Sequence, residues 1–296
     1  MHKKDKIYTI GIDARIYSLP GGLGRYTREL IKGLESISNL KPACRTGRSQ
    51  ISNLDFVVFL DEKGFREYKP TSSHFRKVLL PVNWYGWREQ LLTLPAWFGA
   101  RLDLMHFTHF NKSILYRKPY VVTIHDLTYS MQKGLRISKL PPIVYEFKHL
   151  VYEQVIRDTI LRAKKIIVPT NYSKGDIVKK YGLPKEKVTV TYEAVNDDFI
   201  IPKNTQLLKK LKDQFCITDP YFLYVGNAAP HKNLKRLIDA FSLLYDVGVV
   251  AQMVFVGEHD KFYKELIGYA KDTRGYNKMV FTDVLDDPSY QTLLAN

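Results

Sequence analysis

Two side chains that can carry a positive charge, His231 and Lys232, lie between a short apolar run and an amphipathic helix pattern in "YFLYVGNAAPHKNLKRLIDAF", residues 221–241. The apolar run ends at Gly226, and the helix pattern begins near Asn233. A lysine at a helix N-terminus loses about 0.3–1 kcal/mol against the positive end of the helix dipole. A charge-assisted hydrogen bond to a phosphate contributes about 1.5–3 kcal/mol and can offset that loss. The stretch therefore predicts an anion-binding site, with a solvent-exposed lysine as the alternative.

A glycine-rich turn follows the first apolar run of the chain, in the sequence "YSLPGGLGRYTREL". Gly21, Gly22 and Gly24 allow a close approach of the backbone, and a helix starting near Tyr26 offers its first N–H groups to an anion. The spacing does not match the G-x-G-x-x-G pattern, and no acidic residue lies about 20 positions later at a second strand end. A dinucleotide-binding fingerprint is therefore excluded, and a plain tight turn is the alternative to an anion site.

Polar residues also follow two later apolar runs. His125 and Asp126 end the sequence "VVTIHD", where the imidazole can donate a hydrogen bond to a sugar hydroxyl or a phosphate and the carboxylate can orient it. A purely structural His-Asp pair is the alternative. Asn171 and Ser173 follow "KIIVPT", and either of them suits a helix cap as well as a binding role.

The elements that must position these residues alternate between apolar runs of strand length and helix patterns. Near-continuous Val, Ile and Phe runs are typical of parallel strands buried on both faces, and the ligands of such sheets bind at the carboxyl ends of the strands. The predicted strands cover residues 7–13, 56–61, 77–81, 104–107, 120–126, 165–169, 188–192, 222–226, 251–257 and 278–284. The predicted helices cover residues 26–37, 88–98, 142–164, 173–181, 233–245 and 261–272, and one more begins at residue 289.

The strand and helix rhythm is interrupted between residues 196 and 220, where a lysine-rich stretch between prolines predicts one short helix. We therefore predict a first domain at residues 1–198, a linker at residues 199–219 and a second domain at residues 220–296. Three predicted strands in the second domain are fewer than the roughly six of a complete Rossmann-like unit. The predicted fold class is α/β, with two doubly wound parallel sheets of which the second is incomplete.

The formal net charge of +15 is concentrated in the first part of the chain. Residues 1–200 contain 33 Lys and Arg against 19 Asp and Glu, a net charge of +14, whereas residues 201–296 contain 12 against 11, a net charge of +1. A basic first part suits an anionic membrane surface or a phosphorylated lipid. A solvated basic surface is the alternative, and a nucleic-acid partner is not expected because the motif of interleaved aromatic and basic residues is missing.

The cysteines and the N-terminus predict a cytoplasmic protein. Cys44 and Cys216 are far apart and have no His or Cys clustered beside them, which predicts neither a metal site nor a disulfide framework. The sequence begins without a secretory leader, and no apolar run approaches the ~20 residues that span a bilayer. We expect a cytoplasmic protein, either soluble or peripheral at the inner face of the membrane.

The motifs, taken in order and spacing, resemble those of glycosyltransferase family 4, retaining enzymes of the GT-B fold. The resemblance covers essentially the whole chain, most loosely at residues 38–100. It implies two Rossmann-like domains facing across a cleft, with the acceptor mainly on the first domain and a nucleotide sugar mainly on the second. The stretches that carry it are residues 11–30, 118–127, 166–199, 221–241, 253–266 and 279–287.

The resemblance also implies roles for the candidate residues. Lys232 matches the lysine that holds the donor diphosphate, and Asn227 and His231 occupy the positions where the family has a partner arginine. His125 matches the histidine near the reacting sugar. The implied catalytic residues are His125, Asp126 and Lys232, the donor-binding residues are Gly21, Gly22, Gly24, Gly226, Asn227, His231 and Lys232, and the acceptor-side residues are Arg25, Asn171 and Ser173.

The implied activity is the transfer of a hexosyl group, of mannosyl type, from a nucleotide-diphosphate sugar to a glycan or lipid-linked acceptor in polysaccharide or glycolipid biosynthesis. No metal and no other cofactor is expected, because neither metal-ligand spacing nor a DxD motif is found. Family members carry, further along the chain, a pair of glutamates that binds the donor sugar and ribose. This sequence ends at "DDPSYQTLLAN", before that region. A truncated chain with little activity is therefore expected, and a non-catalytic nucleotide- or sugar-binding remnant is the alternative.

One segment of the first domain, "NWYGWREQLLTLPAWFGARL", combines aromatic residues with arginines. Such a segment on a basic domain suits the interface of an anionic membrane. A core helix of ordinary amphipathicity is the alternative. The residues concerned are Trp84, Tyr85, Trp87, Arg88, Trp97, Phe98 and Arg101.

Overall fold

A computed structural model of the chain describes residues 6–39, 53–84, 86–127, 142–194 and 204–296. Cys44 and Tyr85, which were named above, lie outside these ranges. The described residues form two compact units, one that ends at residue 194 and one that begins at residue 204. Each unit is built on its own parallel sheet. The domain limits drawn at residues 198 and 219 stay predictions.

The first unit contains a seven-stranded sheet with the order β3-β2-β1-β4-β5-β6-β7, and every neighbouring pair is parallel. All seven strands predicted for this part of the chain are present. The strand order reverses between β1 and β4, and sheets of this type bind ligands at such a point, beside the carboxyl ends of the strands. The strands are β1 Tyr8–Asp13, β2 Leu54–Leu60, β3 Phe75–Leu79, β4 Leu104–Phe107, β5 Tyr120–Thr123, β6 Lys165–Val168 and β7 Val188–Val190.

Burial on both faces explains the unbroken apolar runs of the strands. Val57, Val58 and Phe59 of β2 are completely buried, although their side chains point alternately to the two faces of the sheet. In the sheet, Ile12 of β1 pairs with Val58 of β2 and with His106 of β4. Separate apolar clusters cover the two faces, one around Val57 and Phe59 and the other around Ile12 and Val58.

The helices of the first unit, within its described residues, lie between these strands. α1 begins at Gly22, earlier than the predicted start near Tyr26, so the glycine-rich turn runs directly into the helix. Within the described ranges, no helix is both long enough and apolar enough to cross a membrane. The helices are α1 Gly22–Asn39, α2 Glu62–Glu67, α3 Trp87–Leu92, α4 Leu94–Gly99, α5 Pro142–Arg162 and α6 Asn171–Tyr181.

The single helix predicted at residues 88–98 is wrong, because α3 and α4 are separate helices that meet at Thr93. The Thr93 hydroxyl donates a hydrogen bond to the carbonyl of Glu89 at 2.7 Å. Pro95, in the first turn of α4, has no backbone N–H and cannot extend the hydrogen-bond pattern of α3.

The second unit contains a three-stranded parallel sheet with the order β10-β9-β8. α7, which lies in the predicted linker, packs Leu211 into an apolar cluster with Val254 of β9 and Leu293 of α10. The elements are α7 Thr205–Phe215, β8 Tyr221–Val225, α8 Leu234–Asp246, β9 Gln252–Val256, α9 Lys261–Lys271, β10 Met279–Phe281 and α10 Asp287–Leu294.

Candidate active site

A buried ion network lies at the carboxyl end of β1. The Arg15 guanidinium donates through Nε to Asp13 Oδ1 at 2.8 Å and through Nη2 to Asp13 Oδ2 and Glu89 Oε1, each at 2.7 Å. The Asn111 amide donates to the second carboxylate oxygen of Glu89. The side chains of Arg15 and Glu89 are only 2% and 0% exposed, so these charges are removed from water and held by one another.

Burial and neighbouring charges act in opposite directions on the pKa values of Arg15 and Glu89. Burial alone would lower the pKa of Arg15, but the neighbouring Asp13 and Glu89 carboxylates raise it above its ordinary value. Burial raises the pKa of Glu89, and the opposing attraction of Arg15 does not cancel this effect. Arg15 is therefore a permanent cation. It lines a small pocket at this edge of the sheet, and the other lining residues are Asp13, Ile16, Trp84, Thr108, His109 and Asn111.

His125 lies beside this pocket, after β5, and contacts on several sides fix its ring. Its Nε2 atom lies 3.1 Å from the Thr108 carbonyl oxygen, to which it can donate, and its Nδ1 atom lies 3.5 Å from Glu193 Oε1. The Tyr26 ring meets the imidazole edge to face, with the ring centroids 4.7 Å apart. The imidazole is 17% exposed, so part of the ring remains accessible to solvent.

Two further histidines near His125 are held neutral. Burial, and secondarily the proximity of His125, lower the pKa of His106 to about 4 and that of His109 to about 3. His106 Nε2 lies 2.9 Å from the Thr123 hydroxyl, which is also 2.9 Å from the Tyr26 hydroxyl. This chain of polar atoms joins β4, β5 and α1 beneath His125.

The three glycines of the predicted anion turn serve different purposes. Gly21 has a φ of +82°, a left-handed conformation that favours glycine. A Cβ at Gly24 would lie 2.0 Å from the Leu19 carbonyl oxygen, so the close approach made here is to the protein's own backbone. A Cβ at Gly22 would have open space around it. Arg25 is exposed on the first turn of α1.

The structure also locates the residues that follow β6. The N-cap of α6 is Thr170, whose hydroxyl accepts a hydrogen bond from the Ser173 backbone N–H, so the alternative that made Asn171 or Ser173 the cap is wrong. The Ser173 hydroxyl is buried and donates to the His125 carbonyl at 3.3 Å. Asn171 is exposed and donates to the Tyr192 hydroxyl at 2.8 Å. Ser173 therefore supports the His125 loop, whereas Asn171 faces outward.

The loop after β8 carries the second group of candidate residues. Gly226 has a φ of +153°, its N–H donates to the Val256 carbonyl, and its own carbonyl accepts from the Tyr263 hydroxyl at 2.9 Å. A Cβ at Gly257, at the end of β9, would lie 2.2 Å from the Gly226 carbonyl oxygen. Nothing in the sequence singles out Gly257, because the contact that leaves no room for a Cβ comes from the residue that follows the neighbouring strand, β8.

His231 and Lys232 are both exposed, in a 3-10 turn at Pro230–Lys232. Asn233 then adopts a left-handed conformation, and α8 starts at Leu234. Lys232 therefore precedes the helix instead of occupying its first turn, which lowers the dipole penalty that the sequence implied. Asn227 is exposed as well, and its Oδ1 atom accepts from the Ala229 N–H at 3.2 Å.

Sequence reasoning missed Arg15, Tyr26 and Glu193 as members of the site. Arg15 and Glu193 each follow a strand end, as "GIDAR" and "TVTYE", so a scan for charged residues at these positions would have found them. Tyr26 lies inside a helix pattern and carries no such signal. Among the described residues, no group of three or more His, Cys, Asp or Glu side chains is placed to hold a metal ion, and metal independence stays a prediction.

The first part of the chain matches a known protein family. Residues 20–199, more than half of the 296 residues, match the profile of Glycosyltransferase Family 4. The chain belongs to Glycosyltransferase Family 4. The family expected from the motifs is therefore confirmed, and the matched region contains the ion network's Asn111, the glycine turn and His125.

Two relatives of this Glycosyltransferase Family 4 chain are mannosyltransferases by name. O-antigen chain mannosyltransferase B of Escherichia coli is 26% identical over 229 residues, which are 75% of this chain and 56% of that protein. O-antigen chain mannosyltransferase RfbU of Salmonella typhimurium (strain LT2) is 27% identical over 161 residues, which are 54% of this chain and 38% of that protein. The chain thus spans about half, or less, of the length of these relatives.

Solved structures support the fold of this Glycosyltransferase Family 4 chain. HepE of Anabaena, in complex with UDP and glucose, matches 98% of this chain and 72% of its own, with a TM-score of 0.59 and 17% identity. WaaG, a glycosyltransferase involved in lipopolysaccharide biosynthesis, matches 98% of this chain and 72% of its own, with a TM-score of 0.57 and 16% identity. The expected fold class, α/β of the GT-B type with a partial second domain, is confirmed.

Proposed function

We propose that this chain provides the transfer of a hexosyl group, of mannosyl type, from a nucleotide-diphosphate sugar to a glycan or lipid-linked acceptor during the assembly of a surface polysaccharide, with retention at the sugar carbon. The observation that carries the proposal is that polar side chains follow β1, β4 and β5 in the first unit and, separately, β8 in the second unit, in a chain of this family. The names of the two O-antigen mannosyltransferases support the sugar and the pathway class. The UDP and glucose bound by HepE support a nucleotide sugar as donor.

The donor diphosphate is assigned to the loop after β8. Departure of a nucleoside diphosphate leaves negative charge on its oxygens, and cations or N–H groups placed there in advance stabilise the developing charge. Lys232 supplies a full positive charge, and His231 supplies either a hydrogen bond or, when protonated, a second charge. Gly226 and Asn227 form the backbone turn that presents these two side chains.

The reacting sugar and the acceptor are assigned to the edge of the first sheet. Because Nε2 of His125 faces the Thr108 carbonyl, its Nδ1 is the ring atom that is turned toward Glu193 and any sugar hydroxyl between them. Asp126, exposed beside it, is assigned to orient a hydroxyl of the substrate. Arg25 and Asn171 are assigned to the acceptor, and no metal or other cofactor is part of the proposal.

A binding-only role is the second candidate. It is favoured by the three-strand sheet of the second unit and by the half-length coverage of the mannosyltransferase relatives. In this alternative the chain holds a nucleotide sugar but transfers nothing by itself. Donor binding and turnover therefore have to be measured separately.

The experiment compares two lysines in equivalent local structures. Lys232 ends the 3-10 turn before α8, and Lys278 ends a 3-10 turn at the amino end of β10, at the opposite edge of the sheet. In calorimetric titrations with a panel of nucleotide sugars, Lys232→Ala should weaken binding of the preferred donor by about 10- to 100-fold. Lys278→Ala removes the same charge and should change the affinity by less than about twofold. Equal affinities for both variants would refute the donor site.

Turnover distinguishes the two candidates. Transfer of radiolabelled sugar to membranes that contain the acceptor supports the transferase. Binding that depends on Lys232 without any transfer supports the binding-only role. Failure of every nucleotide sugar to bind refutes both.

A further inference from the structure

An exposed apolar surface covers the outer side of α3 and α4 and the segment after β4. Hydrogen bonds from Ser113 Oγ to the Gln90 carbonyl at 2.7 Å and from the Ile114 N–H to Gln90 Oε1 at 2.8 Å fix this segment against α3. The Phe98 ring stacks on Tyr116 with the centroids 5.7 Å apart, which joins α4 to the same segment. We call this surface the α3 platform, and its exposed residues are Trp87 (72%), Leu91 (51%), Leu92 (55%), Phe98 (39%), Ile114 (38%) and Leu115 (44%).

The border of the α3 platform is positively charged. The Arg88 guanidinium lies 5.6 Å from the centroid of the Trp87 ring, and the Lys118 ammonium lies 5.1 Å from that of Phe98. Arg117 is exposed on the same segment. Residues 86–101 and 112–119 contain one acidic residue, Glu89, which is completely buried beneath the platform. The surface therefore combines apolar side chains with cations and offers no exposed carboxylate in these ranges.

The break between α3 and α4 separates core from surface. Trp97 of α4 is completely buried, against the rings of Phe107 and Tyr116, whereas Trp87 of α3 is the platform's most exposed residue. The alternative that made the whole segment a core helix therefore holds for Trp97 and is wrong for Trp87. Exposure of Trp87 beside Leu91 and Leu92 to water is unfavourable, and contiguous apolar patches of this kind mark interaction sites.

We propose that the α3 platform binds the surface of an anionic phospholipid bilayer. Trp87 has the apolar ring and the polar N–H that suit the interface between acyl chains and headgroups. Arginine and lysine side chains can keep their stems on the apolar surface while their charges meet lipid phosphates. The net charge of +14 over residues 1–200 favours the same partner through longer-range attraction.

The platform is joined rigidly to the pocket beside β1. Glu89, on the inward side of α3, accepts hydrogen bonds from Arg15 and Asn111, and both of these residues line the pocket. A bilayer bound to the outer side of α3 would therefore lie a single helix away from the pocket. The consequence that the acceptor is a membrane-embedded, lipid-linked glycan rests on the proposed function, whereas binding of the bilayer itself does not.

The test is flotation of the purified chain, residues 1–296, with vesicles of phosphatidylcholine alone or mixed with phosphatidylglycerol. At low salt the chain should float with the anionic vesicles, and raising the salt to about 0.5 M should release most of it because charges are screened. Two double variants should each lower the partition coefficient for anionic vesicles about tenfold. One combines Trp87→Ser with Leu92→Gln, and the other combines Arg88→Gln with Lys118→Gln. The control, Val247→Ser with Val250→Gln, alters apolar side chains of the second unit that are at least as exposed as Trp87 and Leu92, and it should change the partition coefficient by less than about twofold.

Circular dichroism and urea midpoints equal to those of the unchanged chain establish that each variant is folded. No flotation with anionic vesicles at low salt would overturn the proposal, and so would equal flotation of the platform and control variants. A third outcome is a dimer, measured by light scattering, that dissociates in the Trp87→Ser variant, with no vesicle binding. That result would assign the α3 platform to a second copy of the chain and would also overturn the proposal. The assay needs neither donor nor acceptor, so its outcome is independent of the Lys232 experiment.

Discussion

Replacing Arg15 by methionine should strongly destabilise the first unit. The substitution keeps the length and much of the apolar contact of the side chain, including its position near the Trp97 ring, from which the guanidinium carbon is 5.7 Å away. It removes the charge that faces Asp13 and Glu89 and the hydrogen bond that Arg15 donates to the Val82 carbonyl. Two carboxylates then remain buried without a cation.

The expected cost is about 3–5 kcal/mol, because removal of one partner from a buried ion pair leaves an uncompensated charge in a medium of low polarity. Arg117→Met is the matched control. Arg117 is 49% exposed and pairs with Asp158 at 3.3 Å, so its loss should cost less than about 1 kcal/mol. The difference between the two variants isolates the contribution of burial.

Urea unfolding followed by tryptophan fluorescence is a specific assay for this unit, because Trp84, Trp87 and Trp97 all lie in it. The unfolding of the second unit is silent in this signal. The midpoint of Arg15→Met should therefore fall well below that of the unchanged chain, and Arg117→Met should nearly retain the original midpoint.

The pH dependence of the stability of Arg15→Met independently tests whether uncompensated buried carboxylates cause its loss of stability. Burial already raises the pKa of Glu89, and without the opposing attraction of Arg15 this pKa should rise further above the roughly 4 of an unfolded chain. The folded state then binds more protons than the unfolded state, so stability falls as the pH rises through the raised pKa. Arg15→Met should recover part of its lost stability at pH 5 relative to pH 8. A cost below about 1 kcal/mol at pH 8, or a cost that does not change with pH, would refute this account of the network.

Two further predictions concern the turn before α1 and the buried histidine of β4. Gly24→Ala should lower the free energy of unfolding by at least about 2 kcal/mol in the same assay, because its Cβ would overlap the Leu19 carbonyl. Gly22→Ala, with open space around its Cβ, should be neutral or stabilising by up to about 1 kcal/mol. Equal effects at the two positions would contradict the geometry of the turn. Burial lowers the pKa of His106 to about 4, so the folded state binds fewer protons than the unfolded state below pH ~6.5. Stability should therefore fall by up to about 3 kcal/mol as the pH drops from about 6.5 to about 4. His106→Gln should flatten this acid limb of the stability curve, and parallel curves would count against the assignment.

The sheet could be predicted from the sequence because its strands are buried on both faces. Runs such as "FVVFL" have to be apolar at every position, and this pattern persists whatever the neighbouring strands contain. Since ligands of such sheets bind at the carboxyl ends of the strands, the positions of His125 and of the glycine turn followed from the strands themselves. The helix break at Thr93 also had a local signal in Pro95, which the longer helix pattern obscured.

The connections within the site could not be predicted, because they depend on residues that are distant in the chain. Arg15 and Glu89 are 74 positions apart, and Tyr26 meets His125 only because α1 packs beside the end of β5. The cap of α6 illustrates a different limit. Thr170, Asn171 and Ser173 all have side chains suited to capping, and the extended backbone of Thr170, with a φ of −142°, decides among them.

Two lysines, Lys112 of the first unit and Lys232 of the second, show how the burial of a charge relates to its role. Lys112 is completely buried and bonded to Asp158 at 2.9 Å, an arrangement that suits a charge with a permanent partner. A lysine that receives a diphosphate and later releases it must return to water each time, because a buried ammonium without a partner is strongly destabilising. The exposure of Lys232 meets this requirement but is also what an ordinary surface lysine would show. The comparison of donor binding by the Lys232→Ala and Lys278→Ala variants therefore decides whether Lys232 binds the diphosphate or is an ordinary surface lysine. The ion network of Arg15 gives no information on this question.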